Sequence, residues 1–149
     1  MRVALITPPT AEPITLSELK TFLRVENTTE EPMLETFIAS ARIEAENETR
    51  RAIVRATYKA EFARFSPVLE IPRPPLKAVS SVEYVDAEGA VQTLDPSAYD
   101  VDDDAEPGRI IPLASWPRTA ARPDAVRVEF DAGWDASDVP ETLQVFTMM

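Results

Sequence analysis

Apolar positions recur at helical spacing in the first third of this 149-residue chain and at a spacing of two thereafter. Leu16, Leu19 and Leu23 lie three and four residues apart. They predict a short helix running to about Arg24, with the leucines turned inward. It begins at a capping box, Thr15-Leu16-Ser17-Glu18. There the Thr15 hydroxyl accepts from the Glu18 N–H and the Glu18 side chain reaches back. A Thr- and Glu-rich turn over Glu26–Glu31 leads to a long helix, about Glu31–Arg51. Leu34, Phe37, Ile38, Ala41 and Ala45 form its apolar face. The i,i+4 pairs Arg42–Glu46 and Glu46–Arg50 fall on its wet side. Pro32 fits because it sits in the first turn.

From Thr57 the alternation of Tyr58, Ala60 and Phe62 with Lys59 and Glu61 predicts a strand with one buried face. Leu69–Ile71 is a second short extended piece. Pro72, Pro74 and Pro75 then impose a polyproline-like path that no central strand could follow. The segment Ile71–Ile111 reads as two β-hairpins in series. In the first, Val82 and Tyr84 turn at Asp86-Ala87-Glu88-Gly89 and return over Val91–Leu94, with Gly89 supplying a positive φ. In the second, Tyr99–Asp102 and Arg109–Ile111 flank Glu106-Pro107-Gly108, a sequence suited to a type II turn. Val126, Val128 and Phe130 alternate with Arg127, Glu129 and Asp131 in a last strand. Asp138-Val139-Pro140-Glu141 is a helix start with Asp138 as N-cap, although only eight residues follow it. Residues 1–11 read as an extended arm that stops at Pro8-Pro9. The pattern as a whole is α+β: one short and one long N-terminal helix packed with a small, mostly antiparallel β-hairpin region. We expect one domain over residues 1–149, with a helical part at 12–55, a β part at 56–134 and a short C-terminal segment at 138–149.

Composition narrows the function classes. Hydrophobic residues make up 44% and charged residues 28%, as in a globular chain. Fourteen prolines against three glycines favour fixed connections over flexible ones. The net charge of −11 repels phosphate, which argues against ordinary DNA binding but not against DNA passing nearby. No apolar run approaches membrane-spanning length or a signal-peptide core, so a soluble protein made in the host cytoplasm is expected.

Candidate chemistry is sparse. There is no histidine and no cysteine, so the commonest proton shuttle, the thiolate nucleophile, the disulfide and the thiolate metal site are all missing. No serine lies in a G-x-S-x-G elbow. A carboxylate pair of the glycosidase kind is the one catalytic alternative left by the 26 acidic residues. Asp100, Asp102 and Asp104 match the first, third and fifth positions of a calcium loop. The sixth position is Ala105 rather than glycine and the twelfth is Ile111 rather than glutamate, so a solvated acidic hairpin end is the better reading. Arg50, Arg51 and Arg55 are the one dense basic cluster. Their position at a helix C-terminus favours dipole compensation and pairing with Glu46 and Glu48 over phosphate binding. The expectation is therefore no catalytic, cofactor or metal residue.

What remains is interaction. Trp116 and Trp134 are equally suited to anchoring an interface or capping the sheet. Leu143, Val145, Phe146, Met148 and Met149 are five apolar residues at a chain end, which would fray unless packed. Docking on a partner is the preferred reading of that tail.

Three passages, taken in order, resemble the phage head–tail connector (adaptor) family of long-tailed phages and gene transfer agents. They are EPITLSELKTFLRV at Glu12–Val25, the long helix ending in ETRRAI, and the block from IPRPPL to PGRIIP. Trp116-Pro117 and the run AVRVEF, AGW and DVPE complete the likeness. The resemblance implies a structural virion component, not an enzyme. It implies a homo-oligomeric ring of about twelve copies joining the portal protein to a stopper or tail-completion protein. DNA would pass through the ring without specific binding, no membrane would be involved, and the acidic surplus would partly line the channel. Similar proteins continue past the VPE start into a long terminal helix, where this sequence reads TLQVFTMM. An acidic, non-catalytic binding module without a ring is the alternative.

Overall fold

The computed structural model describes the backbone of residues 1–149 and every side chain except that of Phe146. The chain forms strand β1 (Arg2–Thr7), helices α1 (Leu16–Leu23) and α2 (Glu31–Thr49), strands β2 (Ala56–Phe62), β3 (Leu69–Ile71), β4 (Leu76–Val85), β5 (Val91–Thr93), β6 (Tyr99–Asp102), β7 (Gly108–Pro112) and β8 (Val126–Ala132), and helix α3 (Glu141–Met148). This is the expected α+β arrangement of a short and a long helix with antiparallel hairpins. The strands form two sheets, one ordered β1-β2-β8-β4-β5 and one ordered β3-β7-β6.

The strand with the cleanest alternation lies at the centre. Val126, Val128, Phe130 and Ala132 of β8 are fully buried, while Arg127, Glu129 and Asp131 face the other way. The two sheets enclose the largest core cluster, in which Tyr58, Val82, Val128 and Phe130 meet Leu69, Ile71, Tyr99 and Ile110. The Tyr58 and Phe130 rings stack with centroids 5.8 Å apart. Burial pushes the Tyr58 phenol up to about 12. A second cluster, Ile14, Leu19, Leu34 and Ile38, joins α1 to α2. A third, Ala45, Ile53, Val54 and Val139, joins the helices to the sheet. Both expected hairpins form, β4 with β5 and β6 with β7.

Several local expectations are corrected. The extended arm of residues 1–11 is docked: Arg2 to Leu5 pair with Glu61 to Tyr58, adding a strand to the main sheet. Leu23 and Phe37 are exposed rather than inward, because α2 buries only the narrow stripe Leu34, Ile38, Arg42, Ala45 and Glu46. Arg42 and Glu46 are therefore interior, not on the wet face. The stretch Pro72–Pro75 is not polyproline-like, since Arg73 takes a left-handed φ of 63° and the Pro74–Pro75 bond is cis. The Glu106–Pro107 bond is also cis, and Gly108 begins a strand instead of supplying a turn's positive φ. Gly108 is needed there for space, because a Cβ would sit 2.5 Å from the Leu76 Cβ. Asp138 does not cap α3. It ends a short 3-10 turn, and the Pro140 carbonyl accepts the first helical bonds from Leu143 and Gln144.

Candidate interaction surfaces

The capping box forms as expected, with the Glu18 N–H donating to the Thr15 hydroxyl at 3.2 Å and the Thr15 N–H donating to Glu18 at 2.7 Å. It fixes where α1 starts, and hence which of its residues remain outside. Phe22 and Leu23 on α1, and Met33 and Phe37 on α2, are all large, apolar and exposed. Leu23, Phe37, Ile38, Met148 and Met149 line a groove of about 320 Å³ between the three helices. Apolar residues are exposed elsewhere too, at Leu5, Ile6, Val91 and Leu113, and scattered ones need no explanation.

The C-terminal residues are divided by this arrangement. Leu143 packs on the Ile53–Val54–Val139 cluster, and Met148 packs on the Ile14–Leu19–Leu34–Ile38 cluster. Thr147 is buried, and its hydroxyl donates to the Leu143 carbonyl at 2.9 Å. Val145 and Met149 are exposed and border the helical layer. The Phe146 side chain lies outside the described residues. The two tryptophans are anchored within the subunit. Trp116 stacks on Phe65 with centroids 4.4 Å apart, and its indole N–H donates to the Ser66 carbonyl at 2.7 Å. Trp134 joins the third cluster and lies under the Arg51 guanidinium, 5.6 Å from its ring centre. Both are half-buried.

The charged clusters dissolve into local pairs. Arg51 bonds Glu106, and Arg55 bonds Asp131 at 3.1 Å, rather than Glu46 and Glu48. Asp102 pairs with Arg109 at 3.2 Å and accepts from the Ala105 N–H. Among the described residues no group of three or more His, Cys, Asp or Glu is placed to hold a metal ion. The carboxylates with displaced titration, Glu18, Asp86, Asp95 and Asp124, are all displaced downward, the opposite of what a general acid needs.

Asp124 joins Arg122 to Arg127 where the chain enters β8. Hydrogen bonds from Arg122 and Arg127 hold its carboxyl down at about 2, against an ordinary value of 3.8. A depressed carboxylate stabilises the fold above its unfolded value and loses that contribution as pH falls through its folded value. Melting temperatures of the wild type and of Asp124→Asn should therefore differ above pH 4 and converge between about pH 4 and 2.

Reasoning from periodicity missed two features. One is the interior network in which Arg42 bridges Glu12 at 2.7 Å and Glu46 at 3.0 Å, while Glu46 also accepts from the Ile53 N–H at 2.9 Å. Glu12 lies thirty residues before Arg42, so helical spacing alone could not pair them. The other is that the main sheet ends in two exposed strands, β1 and β5. The short apolar run Val3–Ile6 in RVALIT was a usable signal for the first.

Against known proteins, residues 13–86, about half of the chain, match the model of the family described as Phage gp6-like head-tail connector protein. None of the curated proteins matches the chain. Among solved structures, a chain from the virion of a native gene transfer agent particle is similar, with a TM-score of 0.79 at 19% identity, covering 99% of this chain and 82% of that one. A chain from the neck of an empty particle, computed with C6 symmetry, gives a TM-score of 0.77 at 20% identity, with coverage of 99% and 82%. A chain from the neck of a native particle, computed with C12 symmetry, gives 0.77 at 20%, with coverage of 99% and 79%. The matched segment runs from the α1 capping box through the long helix to the β4–β5 turn, taking in the first two passages of the sequence resemblance and the start of the third, and the chain belongs to the phage gp6-like head–tail connector family.

Proposed function

We propose that this protein is a structural virion component at the head–tail interface. In this reading it forms a ring that joins the portal to the stopper or tail and extends the DNA channel. The observation that carries it is the likeness of the fold, over 99% of the chain, to chains of gene transfer agent necks and virions, together with the family match. Necks computed with sixfold and twelvefold symmetry favour a ring of about twelve copies. The net charge of −11 suits a wall past which DNA slides without adhering. The exposed apolar layer of α1 and α2, with Val145 and Met149 beside it, supplies a dry surface for docking on the portal or a neighbouring subunit.

Deleting the last five residues would also remove Met148 and Thr147 from the interior, so surface substitutions are the better test. The double variant Val145→Asp, Met149→Asp should melt within a degree or two of the wild type, since exposed positions contribute little to folding. Particles assembled with it should lack the protein and carry heads without tails. Normal incorporation would overturn the docking role. Copy number per particle, measured by mass spectrometry, separates the ring from an acidic binding module present without a ring.

A further inference from the structure

The five-stranded sheet has two open ends. At one, β1 pairs with β2 only, and among the described residues none of its backbone groups has a partner on the outer side. Leu5 and Ile6 lie exposed along it. An unprotected apolar edge is a template for strand addition, and natural sheets blunt such edges with lysine, proline, bulges or covering loops. Only a register shift between Leu5 and Thr7 interrupts this one. At the other end β5 is exposed at all three residues, with Val91 apolar and Thr93 at its end.

We propose that β1 of one copy pairs with β5 of the next, so that the main sheet runs on from subunit to subunit around the ring. This rests on the ring reading above and specifies how the ring is held. Charge supports a second copy as the occupant. The edge strand β1 carries Arg2, with both Lys59 and Glu61 on the adjoining strand, whereas the β5 end carries Glu83, Asp86, Glu88 and Asp95. Directly across the strands, one row reads Arg2, Glu61, Arg127, Glu83, Thr93. The signs alternate along that row as far as Glu83, and the open-edge Thr93 is uncharged, so a following β1 meets no like charge there. Opposite charges facing across strands favour pairing, and like charges oppose it.

Topology supports the same occupant. With five antiparallel strands in the sheet, both edges run in the same direction. The small rotation between neighbours in a ring of about twelve would bring β5 beside β1 as a parallel pair. Such a head-to-tail contact repeats until the rotation closes, whereas β1 pairing with β1 across a two-fold would stop at a dimer.

The chain has no cysteine, which makes a direct test available. Ala4 and Thr93 are both exposed and lie on the same face, since each faces the outer row of its neighbouring strand. Particles assembled with the double variant Ala4→Cys, Thr93→Cys should yield a ladder of covalent multimers on mild oxidation. Each single variant should stay monomeric, because equivalent cysteines lie a subunit apart. A double variant present at the wild-type copy number but monomeric on a denaturing gel would overturn the edge pairing and leave the ring intact. A wild-type copy number of one or two per particle would instead remove the ring itself, and the inference with it. Hydrogen exchange on the unmodified protein gives an independent reading. Amides of residues 2–7 and 91–93 should exchange more slowly in assembled particles than in the free protein, and unchanged exchange at both edges would count against the pairing.

Discussion

Replacing Arg42 with alanine should cost about 3–5 kcal/mol of folding stability, because it strands a buried carboxylate. Arg42 and Glu46 are 7% and 6% exposed. Burial opposes the Arg42 charge, yet the hydrogen bond to Glu12 and the nearby Glu46 more than offset it and hold the guanidinium above its ordinary range. Glu46 in turn accepts from the Ile53 N–H, at the point where the chain leaves α2 for the sheet. Arg73 donates to the Glu46 carbonyl at 2.8 Å and to Asn47 at 3.2 Å, tying the proline-rich segment to the same turn. Without Arg42, the buried Glu46 carboxylate keeps only the Ile53 N–H as a partner. At this chain length each kcal/mol moves the melting temperature by roughly 2–4 °C, so a fall of about 6–20 °C is expected in a thermal scan. Arg42→Lys keeps the charge but not the planar fork that serves two carboxylates, and should fall between wild type and alanine. If the alanine variant loses less than about 1 kcal/mol, the pair behaves as an exposed one and the interior network is not what joins helix to sheet.

Gly133→Ala should be comparably damaging for a different reason. Gly133 has φ of 101°, and a Cβ there would lie 2.6 Å from the Val54 carbonyl carbon and oxygen and 2.8 Å from the Arg55 nitrogen. These are backbone atoms, so no rotamer change relieves the collision. Three hydrogen bonds meet at this point: Gly133 N–H to the Pro75 carbonyl at 2.9 Å, Trp134 N–H to Ile53 at 3.2 Å, and Arg55 N–H to Trp134 at 2.8 Å. Moving the segments apart would weaken all three, and a loss of about 3 kcal/mol or more is expected, above the 1–3 kcal/mol of backbone strain alone. Gly89→Ala is the control. It has φ of 89° with nothing within 4 Å of the added Cβ, so it carries strain without collision. Urea unfolding of the two variants should separate these costs. Equal losses would mean that the close approach of Val54 contributes nothing.

Reading the pattern along the chain identified the elements whose burial repeats regularly. The β8 alternation, the α1 capping box and the two hairpins all formed as expected, because each depends on residues within a few positions of one another. The family was also legible, since its likeness lies in the order of those local elements. Errors arose where a distant segment decided the outcome. Phe37 fits the apolar period of α2 yet faces out, while Arg42 breaks the period and is buried, because Glu12 arrives to bond it. The C-terminal apolar residues read as one docking tail, but contacts with α1 and α2 draw Met148 and Thr147 inward and leave Val145 and Met149 outside.

The residues alone were enough for the α+β class, the absence of histidine and thiol chemistry, the acidic charge and the starts of most elements. Propensity, capping and alternation act over a few residues and are written directly into the chain. Sheet order, the two open edges at β1 and β5, the buried Arg42 network and the division of the C-terminus were settled only by packing. Each of these depends on which segment far along the chain comes to lie beside it. The free energy of desolvating a charge or burying an apolar face belongs to that meeting and not to either segment separately.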